Sequence, residues 1–350
     1  MANGRRVSPA VKFNGKNVSV SLATFLRRIS YEDPAEGESD TVSIELHNIG
    51  QKWLNAWAPV HGDQVEAGIL LRGFESSVSA MNFGTFTLDS VKYKGGPLSL
   101  TIGAISQPTL SGFAKTKQTF TWKNVSLREI AQKMADKYSL SLVYEAKDAT
   151  VESMEQNDQT DSEFLKQLCK KNGFSMKIFN SKIVIYEAAA YEAKDAVATF
   201  HRSDFLGDSW SYDSELEGVY EAAEISYSNA KKEQTIKARV GKAAAGSGSE
   251  TGARIMDTTR CLYINEKCET EAEARQKALA ALNEANRGIT TLSVTILPNL
   301  QIFSTSTVMV EGMGVIDGKY FVKKMSLEAS PGSGTTQRLD MYRIYDPVTA

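Results

Sequence analysis

The chain has 350 residues, with 40 Lys and Arg against 42 Asp and Glu; 42% of residues are hydrophobic and 23% charged. That length is a little over two domains at about 150 residues each, and the composition is that of a globular protein that buries roughly three quarters of its unfolded surface without staples. Basic and acidic side chains number 12 and 10 in residues 1–119, 10 and 10 in 120–190, and 18 and 22 in 191–350. No block makes a phosphate-neutralising surface, so nucleic-acid binding is excluded as the main role.

The first 118 residues read as strands. Val18–Phe25 and Thr41–Leu46 are rich in β-formers, and the acidic, Gly/Pro-bearing stretch Tyr31–Asp40 between them reads as a loop. Asp63–Leu71, Gly73–Val78, Gly84–Val91 and Leu98–Ile105 follow, separated by short turns. Trp53 and Trp57 stand one helical turn apart, which predicts a short helix plugging the end of a barrel.

Residues 119–190 change character. Ser126-x-x-Glu129 and Thr160-x-x-Glu163 are capping boxes ahead of apolar helical faces, and Gly173 stops the second helix. A hairpin around Asn180-Ser181 completes a small α+β unit. From 191 onward strands return: Val219–Ser226, Gln234–Val240, Thr291–Leu297, Thr307–Val310, Lys319–Leu327 and Gln337–Tyr345. A third box, Thr270-x-x-Glu273, opens a helix over 271–287. Its stripe Ala272, Leu279, Leu282 and Ala285 suits a helix laid on a sheet. Ala230–Arg239 and Arg254–Ile264 are expected to pair as arms of a hairpin. Their tip, the loop 241–252, is rich in Gly, Ala and Ser and too poor in apolar anchors to order by itself.

Catalytic chemistry is missing from the pattern. The three histidines are scattered, and Cys261-x6-Cys268 lacks the spacing of a zinc site. Cys169, Cys261 and Cys268, an odd count, read as small buried thiols of a reducing compartment. His201-Arg202-Ser203-Asp204 carries the letters of a triad, but adjacent in sequence; a triad converges from separate elements, so this reads as a polar turn. Gly312-x-Gly314-x-x-x-Gly318 joins two strands and cannot be a dinucleotide loop, and Asp317-Gly318 reads as a tight hairpin turn. Asn157–Asp161 lacks the central Gly of a calcium loop. No residue is put forward as catalytic, cofactor-binding or metal-binding, and the chain is expected not to be an enzyme. Met1 to Pro9 has no apolar run behind its arginines, and no stretch reaches the ~18 apolar residues of a spanning helix. Synthesis in the bacterial cytoplasm follows as the expectation.

Two segments repeat. Gly84-x-Phe86-x-Leu88-x-x-Val91 matches Gly318-x-Tyr320-x-Val322-x-x-Met325, with the aromatic and the aliphatic on one strand face and Gly at the entering turn. These residues resemble the baseplate hub proteins of contractile phage tails, the late control protein D family, which is related to the N-terminal hub part of type VI secretion valine–glycine repeat spike proteins. The resemblance runs through Gly62-Asp63-x-Val65, Phe83-Gly84-x-Phe86-x-Leu88, Gln159-x-Asp161-Ser162-Glu163-Phe164-Leu165 and Val310-x-Gly312-x-Gly314, in the expected order.

The resemblance implies a mainly β protein with an α+β insert: two tail-tube-like β-barrel or sandwich domains, 1–118 and 191–350, separated by a small domain at 119–190. It implies a homotrimer in the tail baseplate of a virion or tail-like particle, joining the sixfold tail tube protein to the threefold central spike protein. Baseplate wedge components and the tape measure protein are further expected partners. Spike and hydrolase are expected to be separate proteins. The alternative is a cell-wall-binding or peptidoglycan-hydrolysing tail protein, because 120–145 (Phe120-Thr-Trp122 through Tyr138) faintly resembles a LysM module.

Overall fold

A computed structural model describes residues 6–73, 79–96, 98–106, 112–214, 219–229, 234–241, 260–266, 268, 270–331 and 334–344. The chain divides into two compact units, one of Met1–Trp210 with Ser293–Asp340 and one of Ser211–Leu292 with Met341–Ala350.

The first unit is built on an antiparallel sheet. Its strands run in the spatial order Gly318–Ser330, Leu26–Pro34, Thr41–His47, Ser99–Ile105, Ser79–Lys94, Gln64–Arg72, Arg6–Phe13 and Lys16–Asn17. Thr307–Val310 pairs with the first residues of Gly318–Ser330 and, in parallel, with Ala198–Phe200. Period-two alternation decides which face is inside. Val42, Ile44 and Leu46 are buried, as are Val65, Ala67, Ile69 and Leu71 and then Leu100, Ile102 and Ala104. Each such valine, leucine or isoleucine contributes roughly 1.5–3 kcal/mol by leaving water. The fold is mainly β with an α+β insert, as expected. Among the described residues the sheet is an open path and does not close into a barrel.

A bulge shapes this sheet. Ala67 pairs with Gly84 and Gly68 with Asn82, which leaves Phe83 as the extra residue. Its ring is buried and stacks on Tyr31 at 4.4 Å. A Cβ on Gly68 would stand 2.5 Å from the Met81 carbonyl oxygen, so only glycine lets the strands approach here. Gly84, with φ +107°, therefore lies inside the long strand Ser79–Lys94 rather than at its entering turn.

Four expectations in this unit are corrected. Val18–Phe25 is not a strand: α1 spans Ser19–Ala23. Asn17 Oδ1 accepts from the Ser19 amide and Ser19 Oγ accepts from the Val11 amide, a local turn that overrides β-propensity. Tyr31–Asp40 is not wholly a loop, because Leu26–Pro34 is a strand with partners on both sides. Asp317-Gly318 is not a two-residue turn; Glu311–Asp317 connects the strands and contains a 3-10 turn at Gly314–Ile316. The Trp53 element is a 3-10 helix at Ile49–Leu54, and Trp57 lies beyond it.

Residues 113–185 build a core of their own. Lys117–Ser126 pairs antiparallel with Thr150–Thr160, and the strands Ser175–Phe179, Lys182–Tyr186 and Ser141–Glu145 form a second sheet. The helices α2 (Leu127–Lys137) and α3 (Asp161–Lys171) bury Leu127, Ile130, Met134, Phe164, Leu165 and Leu168 between them. Both capping boxes form: Ser126 and Thr160 each accept from the amide three residues on, at 3.2 Å. A short helix, α4 (Ala188–Glu192), follows.

In the second unit Ala222–Asn229 is the central strand, antiparallel to Gln234–Gly241 and parallel to Cys261–Ile264. The strands flanking the glycine-rich stretch therefore do not pair with each other as expected: the central strand takes both edges, and its Ala222, Ala223 and Ile225 are buried. Residues 242–259, including most of the 241–252 loop, lie outside the described residues. Helix α5 (Glu271–Asn286) packs on this sheet through Ala274, Ala278 and Leu282. Ala272 is exposed, so the buried stripe is rotated from the expected one toward small residues that let helix and sheet approach.

Candidate functional site: a buried charged junction

The polar centre of the first unit joins three distant stretches of chain. Asp33 ends the strand Leu26–Pro34 and Asp40 precedes Thr41–His47. Lys177 sits mid-strand in Ser175–Phe179 of the α+β insert, and Ser304 precedes Thr307–Val310. Lys177 Nζ contacts Asp33 Oδ1, lies 3.1 Å from Asp40 Oδ1 and donates to Ser304 Oγ at 2.9 Å. Ser304 donates through its hydroxyl to Asp33 Oδ1 at 2.6 Å and through its amide to Asp33 Oδ2 at 2.7 Å. Tyr31 donates its hydroxyl to Asp40 Oδ2 at 2.6 Å. The side chains are 10% (Lys177), 2% (Asp33) and 0% (Asp40) exposed, so solvent screens none of this.

Two carboxylates and one ammonium leave one negative charge in excess if all are ionised. Burial of Asp40, and next the charge of Asp33, push its carboxyl up to about 7; the contacts with Lys177 and Tyr31 pull the other way. Asp40 Oδ1 lies close to Lys177 without an aligned hydrogen bond. Burial also drives the Tyr31 phenol upward, with Asp33 and Asp40 adding to it, so Tyr31 acts as a donor only.

Backbone contacts surround the cluster. Tyr186 donates its hydroxyl to the Ala35 carbonyl at 2.9 Å, Ser106 donates to the Ile178 carbonyl at 2.9 Å, and Asn180 Oδ1 accepts from the Thr85 amide at 3.2 Å. Chemically the arrangement is a clamp: every polar atom of Asp33 is engaged, and the site presents no nucleophile to a substrate. Sequence reading missed it, because Lys177 and Asp33 stand 144 positions apart. One signal was present, a lysine interrupting the apolar run Met176–Phe179.

The flagged residues elsewhere do not converge. His201-Arg202-Ser203-Asp204 is a 3-10 turn in which the His201 amide donates to Asp204 Oδ2 at 2.8 Å. Cys169 and Cys268 are buried and Cys261 is half-buried; burial pushes the Cys169 thiol up to about 12. Asp161 is the first residue of α3, and Gln156 and Tyr138 each donate to it at 2.7 Å and Lys137 at 2.8 Å. Burial alone would raise its carboxyl, but these three donors outweigh it and hold it below the usual range. Among the described residues no group of three or more His, Cys, Asp or Glu is placed to hold a metal ion, and no helix is long and apolar enough to cross a membrane.

No family model matches the chain. In sequence it is 22% identical to the "Probable baseplate hub protein" of Escherichia phage 186, over 97% of this chain and 94% of that one. In fold it is similar to the 43 kDa tail protein of prophage MuSo2 from Shewanella oneidensis, with a TM-score of 0.70 at 14% identity, covering 97% of this chain and 98% of the other. A second solved structure is the Escherichia coli c3393 protein, described as a component of the type VI secretion system with structural similarity to the T4 tail proteins gp27 and gp5. It gives a TM-score of 0.57 at 10% identity, over 97% of this chain and 78% of that one. The resemblance carried by the glycine, aromatic and strand spacing thus holds nearly end to end: the chain is similar in sequence to phage baseplate hub proteins and has the fold of phage tail proteins.

Proposed function

We propose that the chain is a structural baseplate hub of a contractile tail or tail-like injection particle, a homotrimer that joins the sixfold tail tube to the threefold central spike. The observation that carries this reading is the similarity to the phage 186 protein, which runs over 97% of this chain and 94% of that one. We read the chain as two tube-like β domains, 1–118 and 191–350, around the insert at 119–190. In support, the matched segments bury equivalent residues, Phe86 and Leu88 in one and Tyr320 and Val322 in the other. Three chains then supply six comparable positions around an axis. Tube, spike, wedge and tape measure proteins are the partners this role requires, and it requires no enzymatic step. The particle is assembled after synthesis in the bacterial cytoplasm.

The cell-wall-binding alternative loses its footing in the geometry of 120–145. Its two strands find partners outside the segment, Lys117–Ser126 with Thr150–Thr160 and Ser141–Glu145 with Lys182–Tyr186. Its helix shares a core with α3.

A reconstruction of the assembled particle tests the proposal. Three copies of the chain around the axis between tube and spike are expected; six copies, or a position in the tube itself, overturn it.

A further inference from the structure

Two exposed apolar patches lie at opposite ends of the strands in the first unit, and their charges are opposite. The first follows the strand Thr41–His47. Ile49, Leu54 and Trp57 are 69%, 43% and 40% exposed, and Tyr93 nearby is 41% exposed. The surface is fixed rather than frayed: Phe25 and the buried Trp53 hold Trp57 edge-on at 6.1 and 5.4 Å, and Tyr93 donates to the Trp53 carbonyl at 2.6 Å. Lys52 stands 5.1 Å from the Trp57 ring centre, whereas Lys92 and Lys94 alternate with Tyr93 along the strand and so face the other side of the sheet. Residues 46–62 contain no carboxylate.

The second patch is the connection Glu311–Asp317, which holds two carboxylates and no base. Its tip, Val315, is 79% exposed. The loop is held in shape by Asp317 Oδ1, which accepts from the Met313 amide at 2.6 Å, and by Tyr320, whose hydroxyl donates to the Ile316 carbonyl at 2.6 Å. Glu311 is 58% exposed, with His201 at 3.9 Å.

Strand register separates the two. Leu26 faces Leu46, His47 faces Ser99 and Lys94 faces Ser99, which places the first patch at one end of the sheet. Lys324 faces Pro34 and Val310 faces Gly318, which places the acidic loop beyond the other end. The strand Gly318–Ser330 alone spans on the order of 40 Å at ~3.3 Å per residue. One molecule cannot bring its own two patches together.

We infer that the patches form one contact between copies of this chain: the Val315 loop of one protomer seats against Trp57 and Leu54 of the next. Glu311 there meets Lys52, the base that lies against the Trp57 ring. Charge complementarity selects the occupant, because the acidic, apolar knob that fits a basic, aromatic socket is carried by the chain itself. A contact between two different surfaces is heterologous, and it either closes into a ring or runs on as a filament. On the trimer reading proposed above, on which this inference rests, it closes at three.

Cysteine pairing tests it in tail particles assembled from Leu54→Cys and Val315→Cys chains, apart and together. Both sites are exposed, so neither substitution touches the core. Oxidation should link chains into a ladder ending at three when both cysteines are present, and should link none in either single variant or in the parent. Glu311→Lys should cut the linked fraction by about an order of magnitude, and Lys52→Glu in the same chain should restore it. Particles with three hub chains and no cross-link overturn the contact and leave the trimer standing. A ladder running past three keeps the contact and overturns the trimer. Linkage of Leu54→Cys to another particle protein, or Trp57-dependent co-sedimentation of the chain with phosphatidylglycerol vesicles, assigns the socket to a different occupant and overturns the inference.

Discussion

Lys177 is the positive charge between two buried aspartates, and its loss leaves Asp33 and Asp40 facing each other without water. Removing one member of a buried charged cluster typically costs about 3–5 kcal/mol, most of it the penalty of the charge left behind. Lys177→Met keeps the packing of the stem and removes only the ammonium. It should lower the unfolding free energy measured by urea titration by that amount, and Lys177→Met with Asp33→Asn should recover part of the loss. The Asp40 carboxyl adds a pH dependence of definite sign. It takes up its proton at about 7 in the fold but near ~4 in the unfolded chain. Over that interval the folded state binds more protons, so this stabilisation is complete below about pH 4 and fades as pH rises toward 7. Melting temperature should therefore fall between pH 5 and pH 8 in the parent, and Asp40→Asn should flatten that slope while lowering the plateau. A slope unchanged by the substitution would assign the proton to another group.

At the level of elements, what is local was legible and what is distant was not. The two capping boxes at Ser126 and Thr160 formed as read, because donor and acceptor lie within one turn. The Glu273 side chain of the third box lies outside the described residues. Val18–Phe25 failed for a local reason, Asn17 and Ser19 capturing backbone amides that a strand would have used. The pairing of Ala230–Arg239 with Arg254–Ile264 failed for a non-local one: Ala222–Asn229 takes Gln234–Gly241 and Cys261–Ile264 as its two neighbours, and strand order of this kind is not written in any one segment. The charged junction was illegible for the same reason, its members standing 144 and 271 positions apart. The turn Asn180-Ser181 was read correctly, and it stores a correctable cost. Both residues have positive φ, +47° and +58°, the backbone of a two-residue hairpin turn whose preferred sequence is Asn-Gly. Ser181→Gly removes a Cβ from the left-handed region and should raise stability by about 0.5 kcal/mol, measured by denaturant titration. The Asn180 side chain must stay, because it accepts from Thr85 across to the sheet.

For the molecule as a whole, the absence of a reaction is as testable as its presence. A peptidoglycan hydrolase needs a general acid or a nucleophile poised in a cleft, with a partner that tunes it. The perturbed groups Asp40, Asp161 and Cys169 are turned inward: Asp40 lies against Lys177 and Tyr31, Asp161 accepts from three donors, and Cys169 lies in the insert core. A proton held on Asp40 at neutral pH has the right affinity for general acid work, but a 0% exposed side chain cannot deliver it to a glycan. Each perturbation is spent on holding chain segments together. The purified chain should therefore give no clearing in a peptidoglycan zymogram at any pH from 5 to 8, and Asp40→Asn should change its stability without changing that result. Clearing that survives removal of contaminating lysozymes and disappears in Asp40→Asn would mean that the junction opens in solution, and the structural role proposed here would give way to an enzymatic one.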